Sequence, residues 1–143
     1  MLPYKLRIDG STGGDTYIWQ SADNTIAVVA GGAITTFTTA GVSSVDFIAS
    51  SDIRLKNVTG SITNALATVN KLNAIRYTWK DKEDDKEHIG FSAQEVLELV
   101  PEAVYGSEET EYGISYGKLV PVLVEAIKEL TAEVEALKKK IGD

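Results

Sequence analysis

Towards the end of the chain Val120, Leu123, Ile127, Leu130, Val134, Leu137 and Ile141 recur at intervals of 3, 4, 3, 4, 3 and 4. This is the heptad register in which a coiled coil buries a narrow seam. It predicts a helix over about 116–141, with Pro121 tolerated in the first turn because an amide there has no helical partner. A helix lying on its own domain shows similar intervals and is the competing expectation. Two details favour the coiled coil: only two positions per heptad are apolar after Ile127, and Glu133 and Lys138 sit where parallel helices can pair them.

The start of the chain follows another period. Tyr4, Leu6 and Ile8 alternate with polar positions, as do Ile26 and Val28, and Ile34 to Thr39 is β-branched and aromatic. Gly13-Gly14, Gly31-Gly32 and Gly41 read as turns between short strands. So few large apolar side chains over about 50 residues bury too little for independent stability. The segment is therefore expected to need identical strands from neighbouring chains, as in a fibre shaft.

From Ser51 onward the pattern turns to helical periods and holds 12 of the 14 Lys and Arg and 17 of the 21 Asp and Glu. A boundary near residue 50 follows, giving regions 1–50 and 51–143. Within the second, Thr63 is expected to cap a helix running to about Lys71. A strand is expected over Ala74 to Trp79, with Ile75, Tyr77 and Trp79 on one side, then a second strand over His88 to Ser92. A short helix over Ala93 to Val100 is stopped by Pro101. Ala103 to Tyr105 and Tyr112 to Ser115 form another hairpin. The charged turn Asp81 to Glu87 lacks the glycine and glutamate that a calcium loop requires, so no metal site and no cofactor are expected. The fold class is α+β.

Composition narrows the function. A net charge of −7 works against nucleic-acid binding through phosphate neutralisation, and Lys138 to Lys140 complement the negative end of a helix. No apolar run is long enough to span a membrane, no leader precedes an apolar segment, and without cysteine there is neither a disulfide nor a thiolate metal site. The expected partners are other copies of the chain and its own shaft, with no nucleic acid and no membrane.

The chemistry-bearing string is Ser51-Asp52-Ile53-Arg54-Leu55-Lys56-Asn57. A serine hydroxyl can reach back to the preceding carbonyl, here that of Ser50, and form an ester that water opens. It needs a base to take its proton, and a lysine serves only when burial leaves it neutral. At a spacing of five the two side chains do not share a helical face, so either a turn folds Lys56 back or a neighbouring subunit supplies it. On residue types alone, Ser51 and Asp52 are an ordinary turn and Lys56 a solvated charge.

SDIRLKN, with HIGFSAQEVLELVPEAV at 88–104 and YGKLVPVLVEAIKEL at 116–130, resembles the C-terminal intramolecular chaperone domain of phage tailspikes and tail fibres. In that endosialidase-type family the domain releases itself by autoproteolysis. The resemblance runs from Ser51 to about Lys140. It implies a parallel homotrimer, Ser51 as nucleophile, Lys56 as general base, and a cut between Ser50 and Ser51. Asp52, Arg54 and Asn57 match as supporting residues: Arg54 pairing with a carboxylate to hold the loop, Asn57 capping the next turn or donating to an oxyanion. His88 is a candidate proton relay or water-orienting group, and Gln94 a candidate oxyanion or positioning donor. The heptad residues by the simple rule favour two strands, whereas the resemblance implies three, which is the order followed. Assembly is expected in the host cytoplasm, with the shaft in the virion tail and the chaperone part released. The competing expectation is a tip or receptor-binding module that stays attached. A membrane-anchored transcription factor precursor with the same domain fits less well, since the chain has neither a basic DNA-binding region nor a span.

Overall fold

A computed structural model of the chain describes residues 5–7, 16–30, 33–38, 41–80 and 86–142. Expectations about Tyr4, Ile8, the glycine pairs 13–14 and 31–32, Thr39 and the turn at 81–85 lie outside them. The fold is mixed α and β, in two compact units, residues 1–57 and 58–143.

The first unit is an antiparallel meander of five strands in sequential order: β1 (Lys5–Arg7), β2 (Tyr17–Ala22), β3 (Thr25–Ala30), β4 (Ala33–Thr38) and β5 (Gly41–Ser43). β2 was not expected, because Tyr17, Ile18 and Trp19 are apolar on both faces and give no alternation. Asn24, at φ 57°, supplies the left-handed residue that the tight β2–β3 connection requires. Gly41 opens β5 instead of forming a turn tip. Ile26 pairs with Phe37 and Val28 with Thr35. Hydroxyls add cross-strand bonds, Thr36 Oγ1 to Ser43 Oγ at 2.5 Å and Thr35 Oγ1 donating to Ser44 Oγ at 3.2 Å.

The sheet's strands pair within one chain, yet among the described residues of this unit only Ala27 and Val29 are buried. Ile26, Ile34, Phe37 and Val42 remain exposed. After β5 the chain runs on without strand pairing, and Val45 and Ile48 are 94% and 90% exposed.

The second unit has a closed core. Its elements are α1 (Ala65–Val69), β6 (Ala74–Tyr77), β7 (His88–Phe91), α2 (Ala93–Leu99), a 3₁₀ turn at Pro101–Ala103, β8 (Val104–Ser107), β9 (Glu111–Ile114), a 3₁₀ turn at Tyr116–Lys118, and α3 (Leu119–Ile141). β6 pairs with β7 and β8 with β9, both antiparallel. Ala65, Val96, Val100, Ala103, Leu119, Val122 and Ala126 form the core, with Leu66, Leu72 and Phe91 packed against it. Ser92 caps α2 by accepting from the Glu95 amide at 3.5 Å, and Pro101 ends that helix.

The expected cap on the first helix is replaced. α1 is five residues long and begins after Asn64, which is left-handed at φ 55° and makes no side-chain cap bond. Thr63 therefore does not cap it. Glu129 of α3 accepts from the Ala65 amide at 3.0 Å and the Leu66 amide at 2.8 Å instead. α1 ends at Val69, two residues before the expected Lys71, and β6 ends at Tyr77, short of Trp79.

α3 presents two faces. Leu119, Val122 and Ala126 pack into the core, whereas the heptad residues Val120, Leu123, Ile127, Leu130, Val134, Leu137 and Ile141 all stay exposed, from 42% to 80%. Its end is closed by Gly142 at φ 91°, whose amide donates to the Lys138 carbonyl, with Lys138 to Lys140 in the last turn.

Candidate functional site

The serine and lysine meet across a single turn of 3₁₀ helix. Asp52 is extended (φ −63°, ψ 125°), Ile53–Leu55 form the turn, and Lys56 is extended again (φ −117°, ψ 135°). The Leu55 amide donates to the Asp52 carbonyl and the Lys56 amide to the Ile53 carbonyl, each at 3.1 Å. That turn brings the lysine side chain back to the serine. Lys56 Nζ donates to Ser51 Oγ at 2.7 Å, within one chain.

Asp52 and Arg54 are bound to each other around this turn. Asp52 Oδ1 accepts from the Arg54 backbone amide at 2.9 Å, and Oδ2 accepts from Arg54 Nε at 3.0 Å and from Nη2 at 2.5 Å. The Arg54 guanidinium, followed by its backbone N–H, holds the Asp52 carboxyl below its ordinary range. Asp52 in turn raises the Arg54 guanidinium. Arg54 thus pairs with the carboxylate two residues away, inside the motif itself. Asn57 caps nothing that follows, because residues 58–63 form no turn.

Ser50, Ser51, Lys56 and Asn57 are exposed to solvent, as are Ile53 at 65%, Leu55 at 82% and Val58 at 72%. These apolar neighbours were passed over on the sequence, where Ile53 and Leu55 read only as parts of the motif. Their alternation on either side of Arg54, beside a serine and a lysine, was the available signal.

His88 and Gln94 belong to the second unit. His88 stacks on Tyr77 with ring centres 5.4 Å apart and meets the edge of Trp79 at 6.4 Å. Its Nε2 is buried with no hydrogen-bond partner among the described residues. Gln94, at the second position of α2, accepts from Ser92 Oγ at 3.3 Å and lines an open groove with Tyr77, Trp79, Glu98 and Tyr112. The structure thus brings Ser51, Asp52, Arg54 and Lys56 together, and places His88 and Gln94 on separate elements of the other unit. Among the described residues there is no cluster suited to a metal ion, and no helix is long and apolar enough to cross a membrane.

The site is an exposed serine–lysine pair on a tight turn, in a chain of mixed α and β structure that has a long helix at Leu119–Ile141. Residues 51–105 match the family described as chaperone of endosialidase, which is of self-cleaving peptidase type. The chain is also similar to the long tail fiber protein Gp37 of Enterobacteria phage K3 and to that of Enterobacteria phage T2. Each is 36% identical over 98 residues, or 64% of this chain. The chain spans only 8% and 7% of the length of those two fibre proteins.

Proposed function

We propose that this chain is the self-releasing assembly module of a phage tail fibre or spike. Residues 51–143 gather three copies in register, the shaft strands of residues 1–50 then wind together, and the bond between Ser50 and Ser51 is cut. The observation that carries this reading is the 2.7 Å contact of Lys56 Nζ with Ser51 Oγ, inside the segment matched to the family.

In the proposed reaction the neutral Lys56 amine takes the Ser51 hydroxyl proton as Oγ attacks the Ser50 carbonyl carbon. The lysine then gives the proton to the departing Ser51 nitrogen. The peptide bond breaks, leaving an ester between the Ser50 acyl group and Ser51 Oγ. Water hydrolyses that ester to the Ser50 carboxylate and a free Ser51 hydroxyl, while the Ser51 amine becomes the new N-terminus.

An ordinary lysine is protonated at neutral pH and becomes a base only when desolvated. Because Lys56 is exposed in the single chain, the reading requires neighbouring copies to cover it. Ile53, Leu55 and Val58 around the pair, and the heptad face of α3, are the apolar surfaces such copies would bury. Non-local shaft strands have a high closure cost. A helical module that assembles first raises their effective concentration, and releasing it makes the result kinetically one-way. Assembly then takes place in the host cytoplasm, and the shaft remains in the virion tail.

Intact mass of the denatured chain, with N-terminal sequencing, tests the reading. Two fragments, the larger beginning Ser-Asp-Ile-Arg, are expected. One uncut species under assembled conditions would favour a tip module that stays attached.

A further inference from the structure

We propose that Asp52 is a positioning residue that builds the reactive turn, and that it acts through its bond to the Arg54 amide rather than through its charge. The proposal rests on the serine–lysine reading above and extends it to a residue that touches neither reacting atom.

The argument starts from spacing. On an α-helix, residues five apart point about 140° away from each other, so Ser51 and Lys56 meet only because a three-residue 3₁₀ turn stands between two extended residues. Such a turn is weak by itself. No residue within it is buried, so core packing does not hold it. Local hydrogen bonds do: the two backbone bonds of Leu55 and Lys56, and the Asp52 carboxylate on the Arg54 amide. Without that carboxylate the Arg54 amide loses its acceptor at the start of the turn, where side-chain capping has its largest effect.

Asp52 also pairs with the Arg54 guanidinium, but Arg54 is 84% exposed. Exposed pairs of this kind contribute little in water. The two contributions separate by substitution. Asp52→Asn keeps a side-chain oxygen for the Arg54 amide and removes the charge. Asp52→Ala removes both. Arg54→Ala removes the guanidinium and leaves the capping bond.

Cleavage of refolded, assembled wild-type, Asp52→Asn, Asp52→Ala, Arg54→Ala and Ser51→Ala chains is followed by intact mass. Thermal midpoints and hydrogen exchange of the Arg54 and Leu55 amides are measured in parallel. Asp52→Ala is expected to slow cutting about tenfold, the loss of one cap, with an unchanged midpoint and faster exchange at Arg54. Asp52→Asn and Arg54→Ala are expected to stay within about threefold of wild type. Cutting of Asp52→Ala at the wild-type rate, or of Asp52→Asn as slowly as Asp52→Ala, overturns the proposal. Cutting of Ser51→Ala at the same bond would instead overturn the serine–lysine reading. Unchanged exchange at Arg54 in Asp52→Ala would refute the capping role even in a chain that is never cut.

Discussion

Glu129 stands in for the missing N-cap of Leu66: its Oε2 accepts from the Leu66 amide at 2.8 Å, across 63 positions of sequence. Oε1 takes the Ala65 amide in the same way, at 3.0 Å. A five-residue helix is too short to persist alone, and Asn64 offers it no side-chain acceptor. α1 therefore depends on α3 for its start as well as for its packing.

The Leu66 amide, and after it the Ala65 amide, hold the Glu129 carboxyl below the ordinary glutamate range. With the folded value depressed, its contribution to stability is full above the unfolded value and is lost as pH falls through the folded one. Thermal midpoints of wild type and Glu129→Gln should converge as pH falls below the ordinary glutamate value of about 4.3, with wild type higher at neutral pH. Parallel curves through that fall in pH would show that the carboxylate does not bear the load.

Ser51→Ala and Lys56→Ala should each leave a folded, uncut assembly, since neither side chain is buried. Lys56→Arg should fail equally, because a guanidinium stays protonated. Normal cutting in any of the three, read by intact mass, would remove that residue from the chemistry.

Leu130→Asp or Leu137→Asp should weaken association of the chains while leaving the second unit folded. Both residues are exposed in the single chain, at 47% and 55%, and an aspartate costs little until copies close over it. Val96→Ala should do the reverse, lowering stability by ~2 kcal/mol from a side chain with no exposed surface and leaving the heptad face intact. Light scattering at dilute concentrations and thermal melts separate the two effects. An unchanged assembly mass for both aspartate variants would assign the stripe to solvent.

Gly90→Ala should destabilise the second unit by about 1–3 kcal/mol. A Cβ at Gly90 would lie 2.6 Å from Tyr116 Oη, which accepts from the Phe91 amide at 3.2 Å. Adding Tyr116→Phe should recover part of the loss, because without the hydroxyl the nearest atoms are Tyr77 Cε1 at 3.4 Å and Tyr116 Cζ at 3.8 Å. Equal midpoints for the single and double variants would place the strain elsewhere.

Refolding from denaturant at several concentrations links assembly to cutting. Cut chains should appear only after assembly, and the rate thereafter should be independent of concentration, because Ser51 and the bond it attacks belong to one chain. Cut single chains preceding any assembly would separate the chemistry from the association.

Local periodicity was enough to read most elements of the second unit. The heptad spacing of α3, the short α2 with its stop at Pro101 and the two hairpins each depend on residues within a few positions of one another, whereas Ser92, expected to close a strand, caps α2 instead. β2 escaped because apolar residues on both faces remove the alternation that marks a strand. The motif SDIRLKN named the serine and the lysine, but not the 3₁₀ turn that joins them, since extended and turn backbones are equally open to those residue types. Thr63 looked like a cap by local rules and lost that role to a glutamate on another helix. No reading of neighbours along the chain reveals such an acceptor. The same limit applies to α3: the sequence reading marks the heptad stripe alone, and packing in the core shows that Leu119, Val122 and Ala126 turn inward while the heptad stripe stays in solvent. Burial depends on which surfaces meet in space, and that is decided by contacts between residues far apart in the chain.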